Sequence, residues 1–290
     1  MRSNSMHHYR AFSLLVRSEL PLLLPEQPEP SREPDVEVRR GDVDPSGGGP
    51  GLQVELAGVR ARIFDEATVV DPGDRQAPMV SNVVLKRCLP ALVFERGATI
   101  QHAGAVDLDG HGVAFAGTQD AGKSSLVASM CEHGARFLTD DILAVGNGGD
   151  RRRALPSFPR ISLTPETRDA LGIEARQVAS MDGTPFEAWL EIEEWFDPDP
   201  VTFDIIYLLE ERGGVESPAV RSVDGLAAME RLAGHSVRSG GLDLADPIGR
   251  QFRQCAELCQ SVPVKVLARP DGFETIPDVV GRVEADLRAM

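Results

Sequence analysis

Four residues in the stretch GVAFAGTQDAGKSSL, residues 112 to 126, stand at a spacing that can do chemistry: Gly117, Gly122, Lys123 and Ser124 fit G-x-x-x-x-G-K-S. Glycines so placed let the backbone curl until its N–H groups point inward, a helix starting at the lysine adds the positive end of its dipole, and an ammonium completes a cradle for phosphate oxygens. A chance match in a chain of this length is of order 1%. The predicted loop binds a nucleotide through Gly117, Thr118, Gln119, Asp120, Ala121, Gly122, Lys123, Ser124 and Ser125, with Lys123 on the β and γ phosphates and Ser124 on Mg2+. Only three lysines (Lys86, Lys123, Lys265) occur among 30 basic residues, so an arginine-preferring composition keeps lysine where a compact ammonium fits and a planar guanidinium does not.

Asp120 puts a negative charge at the fourth loop position. Aspartate tolerates φ > 0 better than most residues, so the loop can form with this side chain turned to solvent. Weakened nucleotide binding and a substrate-facing acid are the other two readings of Asp120. Sixteen residues after Ser124, LTDDIL places Asp140 and Asp141 at a strand end. A carboxylate there can hold Mg2+ and a second can accept a proton from an attacking hydroxyl. Adjacent strand residues point to opposite faces, so the two act alike only if the strand has ended.

The elements that must position these residues follow from periodicity. Residues 9 to 71 alternate short apolar runs with turn-rich stretches, which predicts strands and a β-rich N-terminal region over 1–75. A helix is expected from about Pro78 to Glu95, kinked or divided at Pro90. From Ala98 onward the order strand, turn, strand, loop, helix, strand is the setting of a nucleotide core in a second region, 76–290. The arginines of GNGGDRRRALPSFPRISL read as a solvated loop, with Arg160 ahead of a short strand and a candidate contact to phosphate or substrate. FEAWLEIEEWFDPDPVTFD reads as a flexible acidic stretch, and strands at FDIIYLLEE and PVKVLAR alternate with three further helices. His7 and His8 read as part of a mobile terminus.

A net charge of −15 excludes nucleic acid and anionic membrane as general partners, since both need a positive footprint. No apolar run approaches the roughly 18 to 20 residues of a membrane helix. The four cysteines show no CxxC pair, Cys255 and Cys259 read as core thiols on one helix face, and the setting reads as reducing and cytoplasmic.

The run IQHAGAVDLDGHGVAFAGTQDAGKSSLVASMCEHGARFLTDDILAV, with its histidine-bearing strand, hairpin, loop and paired aspartates, resembles the catalytic core of the HPr kinase/phosphorylase family. The whole chain is similar to the shorter HPr-kinase-like proteins, some of which accompany lasso-peptide biosynthesis and phosphorylate a serine of the precursor peptide. YRAFSLLVRSELPLLLPE, LPSFPRISLTPE, IIYLLEE and VPVKVLARP fit that layout. The resemblance implies an α/β fold with a phosphate-loop nucleotide-binding core of the HPr kinase/phosphoenolpyruvate carboxykinase type, and ATP and Mg2+ as cofactors. It also implies catalytic roles for His102, Lys123, Asp140 and Asp141, and metal ligation by Ser124, Asp140 and Asp141. Which aspartate is base and which is ligand stays open, as does homo-oligomerisation. The implied activity is a cytoplasmic serine kinase acting on a peptide or small protein. The chain departs from the family where Gln119 and Asp120 replace a Ser-Gly pair, and where LPSFPRISL lacks a glutamate, so phosphorylase activity and HPr as acceptor are not carried over. Two alternatives stand beside the kinase: a nucleotide-responsive binding module without catalysis, and a kinase of a small metabolite hydroxyl.

Overall fold

The alternating apolar positions at the start of the chain form six strands: β1 (His7–Ala11), β2 (Leu14–Ser18), β3 (Val36–Arg40), β4 (Leu52–Leu56), β5 (Val59–Ile63) and β6 (Ala67–Asp71). The structure, a computed structural model, describes residues 6–46, 50–180, 188–210, 213–235 and 247–290. The first sheet runs β1-β2-β3-β6-β5-β4, with β3 parallel to both of its neighbours. His7 and His8, expected in a mobile terminus, pair with Ser18 and Arg17. The turn of that hairpin, Phe12–Ser13, holds both residues at positive φ, 52° and 61°. Tight hairpins need that twist but usually take it from asparagine or glycine. Here tertiary packing holds it: buried Phe12 lies edge-on to Phe158, with ring centroids 6.1 Å apart, and its N–H donates to Ser157 O.

The helix that follows is continuous from Ala77 to Glu95. It consists of α1 (Ala77–Val83), a π turn (Val84–Cys88) and α2 (Leu89–Glu95). Proline lacks an N–H and its ring crowds the carbonyl four residues back. The widened turn just ahead of Pro90, where the Leu89 N–H reaches Val84 O, accommodates it without breaking the helix. This 19-residue helix is long and apolar enough to cross a membrane, contrary to the expectation that no run approached that length; 67% of its apolar window is buried inside the protein. Val83, Leu85, Leu89 and Leu92 join Val36, Val38 and Val70 of the first sheet to Ile100, Ile142 and Ala144 of the next in one apolar cluster.

The remaining strands and α-helices described are β7 (Thr99–Leu108), β8 (His111–Ala116), α3 (Lys123–Glu132), β9 (Arg136–Thr139), β10 (Ile142–Gly148), β11 (Arg151–Leu155), β12 (Arg160–Leu163), α4 (Pro165–Leu171), β13 (Gln177–Ser180), β14 (Ala188–Glu191), β15 (Val201–Leu209), β16 (Ala219–Ser222), α5 (Gly225–Gly234), α6 (Pro247–Ser261), β17 (Val264–Ala268) and α7 (Ile276–Leu287). The large sheet runs β11-β10-β7-β8-β15-β17-β16 with β9 on β7, and β11 also pairs with β15, so β10, β7, β8, β15 and β11 close into a ring. β8, β15 and β17 are parallel. Their alternating side chains serve two cores: Phe115 and Tyr207 cluster with α3 and α7, while Ala114, Ile206 and Leu208 cluster with Leu232 of α5 and Leu258 of α6. A third sheet runs β12-β14-β13. The result is an α/β fold with mixed sheets.

Two further sequence expectations fail. Arg151, Arg152 and Arg153 are not in a loop but in β11, whose Ala154 is fully buried. The stretch read as flexible contains β14, where buried Trp189 packs on Phe158 with centroids 5.8 Å apart; Phe186 and Glu187 lie outside the described residues. Charges flanking these positions masked their apolar anchors.

One polar staple ties α7 to the parallel strands. Tyr207 donates to Asp286 Oδ2 at 2.8 Å and Lys265 Nζ donates to the same oxygen at 2.7 Å. Asp286→Ala leaves both donors unpaired and is expected to destabilise the protein by about 2 kcal/mol, read as a lowered midpoint in urea.

Candidate functional site

The loop after β8 leaves the sheet at the carboxyl end of a parallel strand, where open α/β sheets collect their ligands. Two of its residues adopt left-handed backbone, Asp120 at φ 60° and Gly122 at φ 79°. The reading of Asp120 as a residue that tolerates this conformation agrees with that geometry, and its side chain is exposed. Gly122 precedes the first turn of α3, so Lys123 begins the helix. The close seat of α3 on β7 depends on Gly104, where a Cβ would stand 2.7 Å from Val127 Cγ2. Buried Lys123 folds back over the loop, its Nζ donating to Gly117 O at 3.1 Å and Thr118 O at 2.8 Å. Burial lowers its pKa, opposed by the charges of Asp141, Asp120 and Asp140.

β9 ends at Thr139 and β10 begins at Ile142, so Asp140 and Asp141 occupy the bend between the strands. The strand has ended, and both side chains line the cavity that Lys123 borders. Their surroundings differ. Asp140 is buried, and Ser162 N donates to its Oδ2 at 2.7 Å. Burial pushes its carboxyl up to about 6, with the Lys86 charge opposing and the Asp141 charge reinforcing the shift. Asp141 accepts from Lys86 Nζ at 2.7 Å and from His102 Nδ1 at 2.9 Å. Burial alone would raise this carboxyl too, but Lys86 and His102 outweigh it and hold it well below the usual carboxylate range.

His102, Gln119, Asp120, Gly122, Lys123, Ser124, Ser125, Asp140 and Asp141 all line a cavity of about 560 Å3. Gly117, Thr118 and Ala121 form the loop backbone without lining it. Arg160 is not in the site: 3% exposed, it donates to Leu23 O and Pro159 O and lies 3.4 Å from Glu191, pinning β12 to the connection between β2 and β3. Lys86 was missed. It comes from the π turn, 5.6 Å from the Trp189 ring centroid, and its rarity as a lysine was the signal available. Arg269, just after β17 and buried, was also missed; it donates to Ala121 O and braces the loop from behind. The hydroxyl of Ser124 and the two carboxylates are hard oxygen donors that suit Mg2+, which keeps several waters and usually takes only one or two carboxylates. Among the described residues no group of three or more His, Cys, Asp or Glu gathers as a dedicated metal cage.

Lys86→Met removes the ammonium that balances Asp141, and a loss of about 1–2 kcal/mol in stability is expected because the pair is only partly buried. Lys86→Met combined with Asp141→Asn should recover most of it, so a double-mutant cycle by urea denaturation measures the coupling.

No family model matches the chain, and no curated protein matches it. Among solved structures, its fold has a distant likeness to the HPr(Ser) kinase/phosphatase from Coxiella burnetii, at 11% identity, covering 66% of this chain and 98% of that chain with a TM-score of 0.38.

Proposed function

We propose that the chain is an ATP- and Mg2+-dependent kinase that transfers the γ-phosphoryl group to a serine hydroxyl on a peptide or small protein. The observation that carries this reading is the meeting, in one cavity, of the glycine-and-lysine loop with two carboxylates of opposed electrostatic character. The loop N–H groups and Lys123 hold the β and γ phosphates, and Ser124 with Asp141 would hold Mg2+, which would supply neutralisation of phosphate charge. Asp140 is the base. Its carboxyl, pushed up to about 6, is ionised at neutral pH yet basic enough to accept the serine proton. As the serine oxygen bonds to the γ-phosphorus, the bond to the β–γ bridging oxygen breaks, ADP leaves, and the proton moves to Asp140. Asp141 cannot share that task, because Lys86 and His102 keep it a weak base.

Asp140→Asn is expected to lower transfer by about a thousandfold with ATP affinity retained, checked by phosphoryl transfer to serine peptides alongside calorimetry. Transfer by the unaltered protein should fall tenfold per pH unit below about 6, where Asp140 takes up its proton, and level off above. Full activity in Asp140→Asn rejects Asp140 as the base; tight ATP binding without transfer to any peptide leaves a nucleotide-binding module instead. Asp120→Gly preserves the left-handed backbone and removes an exposed carboxylate, so the Kd for ATP should shift by less than about fivefold in calorimetric titration.

A further inference from the structure

A second cavity, of about 270 Å3, lies against the first, and the chemistry proposed above makes no use of it. Gly122, Ser125, Glu166 and Phe273 border both. The walls of this second space are different in kind. Leu126 of α3 and Val279 of α7 are buried and apolar, Ile276 adds a half-buried aliphatic side chain, and the half-buried Phe273 ring comes from the turn after β17. Arg269 lines it too, with its guanidinium held against the loop by the bond to Ala121 O; a Cβ on Gly122 would stand only 3.1 Å from its Nη1.

We infer that this second cavity takes the nucleobase of the nucleotide whose phosphates occupy the first. The inference rests on the phosphate-loop reading and adds where the base goes and what grips it. A phosphate chain lying along the loop N–H groups passes the first turn of α3, and Ser125 in that turn is where the two cavities meet. A base is flat and apolar on its faces, and an aromatic ring and a guanidinium plane are the surfaces on which bases stack. The volume is below the range of about 300–1,000 Å3 that whole ligands occupy and fits a fragment of one. Glu166, on the shared border, has a carboxylate that repels phosphate but accepts from hydroxyls, and the ribose hydroxyls lie between phosphates and base.

Calorimetric titration with Mg-ATP and with Mg-tripolyphosphate separates the two readings. Phe273→Ala is expected to weaken ATP binding about tenfold while tripolyphosphate binding stays within about twofold, which also shows that the variant is folded. Ile276→Trp, which fills the cavity from α7, is expected to give the same selective loss. Unchanged ATP affinity in both variants overturns the base assignment. So does equal affinity of the unaltered protein for ATP and tripolyphosphate, an outcome that leaves the phosphate loop standing. Loss of both ligands in both variants overturns it as well, because the two cavities then do not act separately. If the unaltered protein binds neither ligand, both readings fall together.

Discussion

Two adjacent carboxylates, Asp140 and Asp141, are drawn into a partly dry cleft, and much of the fold serves to make that tolerable. Like charges this close cannot both stay ionised without nearby cations, so the cleft must either supply ammonium groups or raise a pKa. It does both. Lys86 and His102 are committed to Asp141, while Asp140 has the Ser162 N–H and a carboxyl shifted to about 6. The asymmetry comes from three elements converging on one bend: the π turn after α1, the strand β7 and the strand β12. Removing any one of them would take a partner from one of the two carboxylates.

Dependence on Lys86 gives the N-terminal sheet a physical role in the site. The buried face of the helix from Ala77 to Glu95 joins Val36, Val38 and Val70 on the sheet to Ile100 and Ile142 beside the cleft. Pro90 forces the widening at Val84–Cys88, and that widened turn is the one carrying Lys86. Arg160 ties the same two bodies together through Leu23 O. A boundary at about residue 75 therefore follows the chain but cuts across a shared core.

What could be read from the sequence was local. Gly117, Gly122, Lys123 and Ser124 signal through spacing alone, and the strands and helix around them through period, so the loop and its setting were legible. The facing of Asp140 and Asp141 was not, because it depends on β9 stopping at Thr139 rather than on any residue type. Lys86 is 37 positions before Lys123 and its helix carries the signature of core, not of a site. Lysine scarcity held the clue: Lys123 opens α3 and reaches back to the loop, while Lys86 and Lys265 each pair with an aspartate. Arg160 misled for the opposite reason. Proximity in sequence suggested a ligand contact, whereas the buried guanidinium directs its donors to the backbone carbonyls of Leu23 and Pro159.

The same reasoning bears on how the loop, in the proposed phosphate-binding role, can carry an aspartate. The loop turns through two left-handed positions, and glycine occupies only the second. At the first, Asp120 is exposed, so water screens its charge. Lys123 is buried, where each charge acts through a lower dielectric, and the first-turn N–H groups of α3 are fixed dipoles. A rim carboxylate in water is therefore weighed against a buried ammonium and oriented amides, and the comparison is not between equal charges. In the proposed role the loop keeps its sign because what determines it lies inside, and Asp120 supplies backbone geometry at small electrostatic cost.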